Sequence, residues 1–353
     1  MPTSTHLNFF ESVREVPDSH LWTVDDHPTS KHESVPVIDL SGPTAMAQLM
    51  EACEKWGAFQ IVGHGIPDVL LDRFQAQLDR LFSLPAERKE LAAQERCSDG
   101  LSGFGRIPIA SFFSKEMWTE GFTIVGSPAE QARKMWPDDP HQFSDVIEEF
   151  NKEMRRLGRR LIRMMQLSLG LDEEEMVWDG PVEEEEEEDN DFTGALRLNS
   201  YPACPDPDRA MGMAAHTDSS LITLLYRSVP SGLQVLQDGS GLQQQPPGQA
   251  RRWVAMSPVP ARSLIVILGD LSPILTNGRF KSALHRVVVD RIDCHTSAAH
   301  FIGPPRRVTV KPAAKLVDPN RGPCYRAVSW PEYRDVKAKF FQQALESLKV
   351  SKE

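Results

Sequence analysis

Two hydrophobic periods divide the chain. Up to about residue 180, apolar residues mostly recur every three to four positions, the spacing of one helix face. Met46, Leu49, Met50, Cys53 and Trp56 follow Pro43 and predict a helix that Gly57 stops. Leu70, Phe74, Leu78 and Leu81 predict a second after Pro67. Phe143, Val146, Ile147, Phe150, Met154, Leu157, Leu161 and Met165 predict a long third over about 143–169. Two short strands, at 35–40 and 58–62, break this region, with Gly63-His64-Gly65 as a turn. From residue 195 to about 304 the texture changes to short β-rich segments, at 196–201, 221–226, 232–237, 253–257, 263–268, 281–289 and 298–302, with Gly, Pro, Asp and Asn between them. Strands of that length and spacing indicate a sandwich or barrel of jelly-roll type. Ser329 and Glu332 form a capping box for a closing helix, whose apolar stripe is Tyr333, Val336, Phe340, Ala344 and Leu348.

The pattern divides the chain into an N-terminal arm (1–34), a mixed, mostly helical region (35–180), an acidic loop (181–194), a β core (195–305) and a C-terminal segment with a packing helix (306–353). The acidic loop qualifies the net charge of −11. Residues 183–189 are seven consecutive acids, and removing their charges leaves −4. Like charges in one run repel and stay solvated, so the run predicts a loop rather than a binding surface. No long basic block points to nucleic acid or a membrane surface, and no apolar run reaches the roughly 18–20 residues that span a bilayer. The five cysteines (53, 97, 204, 294 and 324) are odd in number, scattered and free of any CxxC pair, which is the usage of a reducing compartment. The start lacks the basic and apolar stretches of a secretory signal. The expectation is a cytoplasmic protein, monomeric by default.

His216-Thr217-Asp218 is the first chemical signal. In an extended segment, residues i and i+2 face the same way, so an imidazole and a carboxylate can share a metal. His285, in the segment 281–289, offers a distal second imidazole. Two His and one carboxylate on one face of an octahedron leave three positions open, as in non-haem Fe(II) oxygenases. From these residues alone, a metal site and a buried structural histidine stand as equal readings.

The flanking residues decide between them. Asn199-Ser-Tyr201-Pro202 precedes the triplet, and Leu275-Thr-Asn-Gly-Arg-Phe-Lys-Ser282 leads into His285-Arg286. With the blocks Val35–Leu40 and Trp56–Phe59, these residues resemble the plant family of Fe(II)- and 2-oxoglutarate-dependent dioxygenases over about 35–303. Within it, residues 111–123, 154–157 and 274–280 most resemble the gibberellin 3β-hydroxylases of grasses. The resemblance implies a double-stranded β-helix, with Fe(II) on His216, Asp218 and His285. It further implies 2-oxoglutarate as co-substrate beside Tyr201 and Asn199, O2 as oxidant, ascorbate as a support of activity, and ring-A hydroxylation of a gibberellin precursor, by default at C-3β.

One position departs from the family. Where it carries Arg-x-Ser after the distal histidine, this chain reads His295-Thr296-Ser297. Arg presents a permanently charged planar fork to a carboxylate, whereas His is mostly neutral near pH 7. Three readings stay open: a catalytically silent relative; retained use of 2-oxoglutarate through a protonated His295 helped by Arg197, which shares a strand face with 199 and 201; or a site tolerant of other 2-oxo acids. The retention of His216, Asp218, His285, Tyr201 and Ser297 favours an active enzyme with a relaxed site. A neighbouring ring-A carbon, desaturation, and another substrate such as a flavonoid are the alternative outcomes. Phe112, Phe113 and Trp118 are candidate walls of the substrate pocket, and Arg106, Lys115 and Arg133 candidate partners for a substrate carboxylate. His64 and His300 read as structural.

Overall fold

The computed structural model describes residues 10, 13–23, 29–30, 34–97, 101–171, 194–229, 232–237, 251–256, 260 and 262–350. The acidic run lies outside the described residues. Eight strands carry the core: β1 (Ala195–Tyr201), β2 (Met213–His216), β3 (Ile222–Arg227), β4 (Leu233–Gln237), β5 (Arg252–Ala255), β6 (Leu264–Leu268), β7 (His285–Val287) and β8 (His295–Ile302). They form two sheets, ordered β6-β3-β8-β1 and β5-β4-β7-β2. This is the expected jelly roll. The cavity between the sheets takes alternate residues of β1, β3 and β8, among them Thr223, Leu225 and Arg227 of β3 and His295, Ser297, Ala299 and Phe301 of β8.

The first sheet is wider than the eight core strands require. Ala58–Val62 pairs with β6, and Val37–Asp39 lies parallel beside it; at the other edge Glu120–Val125 pairs with β1, and Gly103–Phe104 follows. The region expected to be mostly helical therefore contributes four strands. Glu120–Val125 escaped the sequence reading because Gly121 interrupts its apolar alternation, and the fold requires that glycine. A Cβ there would sit 1.8 Å from Nη2 of Arg197, so the strand must pass with no side chain beneath the guanidinium.

Helices cover the outer face. They are α1 (Ala45–Lys55), α2 (Asp68–Phe82), the long α3 (His141–Ser168) and α4 (Trp330–Phe340). All eight residues of the predicted α3 stripe are buried. Phe150 stacks on Phe74 of α2 with centroids 3.6 Å apart, and Phe74 meets Tyr226 of β3 edge-on. A Cβ at Gly158 of α3 would lie 2.2 Å from Cδ1 of Ile302, so the glycine lets helix and sheet close together. Two stripe predictions need correction. Met46 is exposed, and α1 buries Ala45 and Ala52 beside the predicted Leu49 and Cys53. The capping contact at Ser329 is present, with its Oγ accepting from the Glu332 amide. The helix nevertheless stops at Phe340, which is exposed, because Phe341 turns to φ 46°. Ala344 and Leu348 are buried, but beyond the helix.

His300 shows why the alternation of β8 matters for stability. It faces α3, where Nδ1 lies 3.2 Å from Oδ1 of Asn151. Burial, and then the charge of Arg155, pushes its imidazole down to about 3. Because the folded value lies below the unfolded one, the unfolded chain takes up the proton first. The contribution is therefore complete above the ordinary histidine value near 6.5 and is lost as pH falls from there towards 3, at up to about 1.4 kcal/mol per pH unit. Denaturant unfolding between pH 7 and 5 should show this loss, and His300→Gln should make the slope shallower by about one proton. Equal slopes would contradict a buried neutral imidazole.

Candidate metal centre

β2 and β7 are neighbours, and their register sets His216 directly opposite His285. The two rings lie 4.3 Å apart, centroid to centroid. Asp218 follows just after β2, with Oδ1 at 3.6 Å from Nε2 of His216 and 3.9 Å from Nε2 of His285. All three side chains are buried, and each offers a ligand atom within 4.8 Å of the others.

The surroundings fit a metal. Nδ1 of His216 donates to the Ala214 carbonyl at 2.7 Å, and Nδ1 of His285 to that of Ala283 at 3.0 Å. Those bonds fix the tautomers and leave both Nε2 lone pairs facing Asp218. Thr223 donates to Oδ2 of Asp218 at 2.6 Å, which leaves Oδ1 for the ion. Burial, with His285 adding, holds the His216 imidazole far below its ordinary value, so it is present in the neutral form that ligates. Behind the triplet, Asp270 ties the loop down. Its amide donates to the Asp218 carbonyl at 2.8 Å, and its carboxylate accepts from Ser282, Tyr333 and Lys337 at 2.5–2.6 Å. Desolvation, reinforced by the Asp270 charge, raises the Tyr333 phenol far above its ordinary value, so it remains a donor.

The same cavity continues across the first sheet. Cross-strand pairing places Tyr201 beside His295, and Asn199 beside Ser297, which in turn lies beside Arg227 of β3. Tyr201 and His295 stack at 4.7 Å. Burial pushes the Tyr201 phenol up to about 12, opposed first by its hydrogen bond to Ser297. His295 is 2% exposed, and neither ring nitrogen has a hydrogen-bond partner. Two buried, unpaired nitrogens are costly unless something else pairs with them.

Two expectations change here. The imidazolium is not favoured, because burial and then the Arg227 charge push His295 down to about 4 and leave it neutral between pH 6 and 8. Arg197 lines the cavity, but its guanidinium is committed to Asn199, Thr123 and the Gly105 carbonyl at 2.7–3.2 Å, which makes it a brace. The substrate-wall reading also shifts. Trp118 is fully buried and donates to the Pro202 carbonyl, while Phe112 and Phe113 pack on Phe341. The cavity wall from this stretch is Ile107, opposite Leu225, Leu233, Ile267 and Val287. Of the proposed cations, Arg106 pairs with Glu116, Lys115 donates to the Asp18 carbonyl, and Arg133 is exposed; none lines the cavity. Arg227 is the charged lining residue that sequence reading passed over. Its signal was present in the alternation of Thr223, Leu225 and Arg227. His64 and His300 are structural, as read: His64 bonds the Arg262 carbonyl and the Ile66 amide.

Comparison with known proteins adds to this geometry. Residues 192–304 match the 2OG-Fe(II) oxygenase superfamily, and residues 35–144 match the non-haem dioxygenase in morphine synthesis N-terminal family. Across 99% of its length the chain is 42% identical to gibberellin 3-beta-dioxygenase 1 of Arabidopsis thaliana, covering 95% of that protein. It is 43% identical to the Pisum sativum gibberellin 3-beta-dioxygenase 1 over 97% of this chain and 89% of the relative. A Triticum aestivum relative, gibberellin 3-beta-dioxygenase 2-3, is 40% identical over 99% of this chain and 95% of its own. Among solved structures, JOX2 in complex with 2OG, Fe and JA superposes with a TM-score of 0.76 at 27% identity, covering 96% of this chain and 95% of that one. The rice dioxygenase for auxin oxidation superposes with a TM-score of 0.69 at 25% identity, covering 90% and 100%.

Proposed function

This chain belongs to the plant family of Fe(II)- and 2-oxoglutarate-dependent dioxygenases, and from that membership we infer that it hydroxylates a gibberellin precursor on ring A, with C-3β the default position. The observation that carries the substrate is the identity of 42–43% over 97–99% of the chain to proteins named for gibberellin 3-beta oxidation. His216, Asp218 and His285 would hold Fe(II), which when bound supplies O2 activation coupled to oxidative decarboxylation of a 2-oxo acid. Tyr201, Asn199, Ser297 and His295 would receive the co-substrate. Ile107, Leu225, Leu233, Ile267 and Val287 give apolar walls suited to a rigid, largely hydrocarbon substrate and keep water from the reacting carbon.

The neutral ring of His295 supports the second part of the reading. A site without a fixed fork at that position discriminates less strictly by the tail of the 2-oxo acid, so 2-oxo acids besides 2-oxoglutarate should sustain turnover. A cytosolic location completes the reading, supported by five cysteines that are all unpaired.

The test is a turnover panel. Purified protein, Fe(II), ascorbate and a ring-A-unsubstituted gibberellin precursor are incubated with several 2-oxo acids, for wild type and His295→Arg, and products are read by mass spectrometry. We expect ring-A hydroxylation by wild type with more than one 2-oxo acid, narrowing to 2-oxoglutarate in the variant. No oxidised product from folded, iron-loaded protein would remove the gibberellin assignment.

A further inference from the structure

We propose that Arg227 is the cation that receives the far carboxylate of a dicarboxylic 2-oxo acid, which gives 2-oxoglutarate an affinity advantage in a site that also admits acids without that carboxylate. The proposal deepens the co-substrate reading above and rests on it for the presence of a 2-oxo acid in this cavity. A carboxylate buried there needs a charged or strongly donating partner. Among the described lining residues the cations are Arg197 and Arg227. Arg197 spends its Nε, Nη1 and Nη2 on protein acceptors, and a Cβ at Gly121 would already collide with it, so it has no room to swing. Arg227 is placed differently. It is the last residue of β3, directly opposite Ser297 of β8, and it points into the cavity with Thr223 and Leu225. Directly opposed residues have their Cβ atoms about 5 Å apart, well within reach of a long side chain.

Two further observations agree. Nη2 of Arg227 donates to the Met256 carbonyl at 3.1 Å, which holds the side chain at the end of its strand beside the cavity. Burial lowers the guanidinium only to about 10, so it stays charged at neutral pH. Burial, and then the field of Arg227, keep the diagonal neighbour His295 neutral, leaving that ring to donate one N–H beside the hydroxyls of Tyr201 and Ser297. Charge and hydrogen bonding are thus divided among three strands: the charge sits on β3, and the neutral donors sit on β1 and β8.

The test needs no gibberellin, so it stands or falls separately from the substrate assignment. Fe(II)-loaded protein is titrated anaerobically with 2-oxoglutarate and, separately, with pyruvate, which lacks the second carboxylate; binding is read by calorimetry. Arg227→Gln should weaken 2-oxoglutarate by about 30-fold or more and leave pyruvate unchanged. Arg227→Lys should retain part of the affinity. Arg227→Gln combined with His295→Arg should recover it, because the charge returns one strand away. Loss of both acids to the same degree would make Arg227 a structural brace and overturn the proposal. An unchanged 2-oxoglutarate titration would also overturn it.

Discussion

Asp218→Ala should give a folded protein whose turnover falls by more than about 100-fold, since even loss of an outer partner of a metal ligand costs 10–100-fold. The carboxylate sits between the two Nε2 atoms, at 3.6 and 3.9 Å, and supplies the negative ligand charge of the set. Without it two imidazoles and no carboxylate remain, a weaker and less discriminating site for Fe(II). Thr223 loses its acceptor at 2.6 Å but keeps a contact with the Ser220 hydroxyl at 3.1 Å, so the fold should persist. Chelating the metal from wild type should reproduce the same loss, and added Fe(II) should restore wild type but not the variant. Fe(II) binding by equilibrium dialysis is the direct check. A variant that binds Fe(II) as tightly as wild type would show that Asp218 is not a ligand.

Lys337→Met should cost about 3–5 kcal/mol of unfolding free energy, the range for breaking a buried ion pair from one side. Lys337 is 8% exposed and Asp270 1%, and Nζ lies 2.5 Å from Oδ2 of that carboxylate and from Oγ1 of Thr217. The substitution leaves Asp270 buried with Tyr333 and Ser282 as donors but no counter-charge. Combining it with Asp270→Asn should recover much of the loss, because no charge is then left alone. Denaturant midpoints for the single and double variants decide the matter. A loss below about 1 kcal/mol would mean that the pair behaves like an exposed one. Since Asp270 also holds the Asp218 carbonyl, the single variant should bind Fe(II) more weakly, an effect that a remote core defect would not produce.

The legible part of this molecule was set by period and by spacing. The stripe of α3 was legible because eight apolar residues on one face have one way to be buried. The candidate iron ligands were legible as an i, i+2 pair with a distal histidine, although the register that sets His216 opposite His285 appears only in the folded sheet. The less legible part depended on neighbours far along the chain. Glu120–Val125 is a strand because β1 lies beside it, and its glycine serves a guanidinium 76 residues away. Trp118 is an aromatic residue near the right motif, yet only packing shows that it fills the core instead of the cavity. The neutrality of His295 likewise depends on burial and then on Arg227, a residue brought near it by sheet pairing.

The chain order of the iron ligands also has a consequence for biosynthesis. In its sheet β2 lies at the edge beside β7, and 69 residues separate His216 from His285. A strand whose partner is that distant has nothing to pair with while the ribosome is still producing the residues between, and such non-local pairings close late. The third candidate ligand therefore joins the other two only after most of the β core has been synthesised, and the Lys337–Asp270 tie behind them waits for α4. A nascent polypeptide of this design has no formed grip on a redox-active ion until the walls that contain its chemistry are in place.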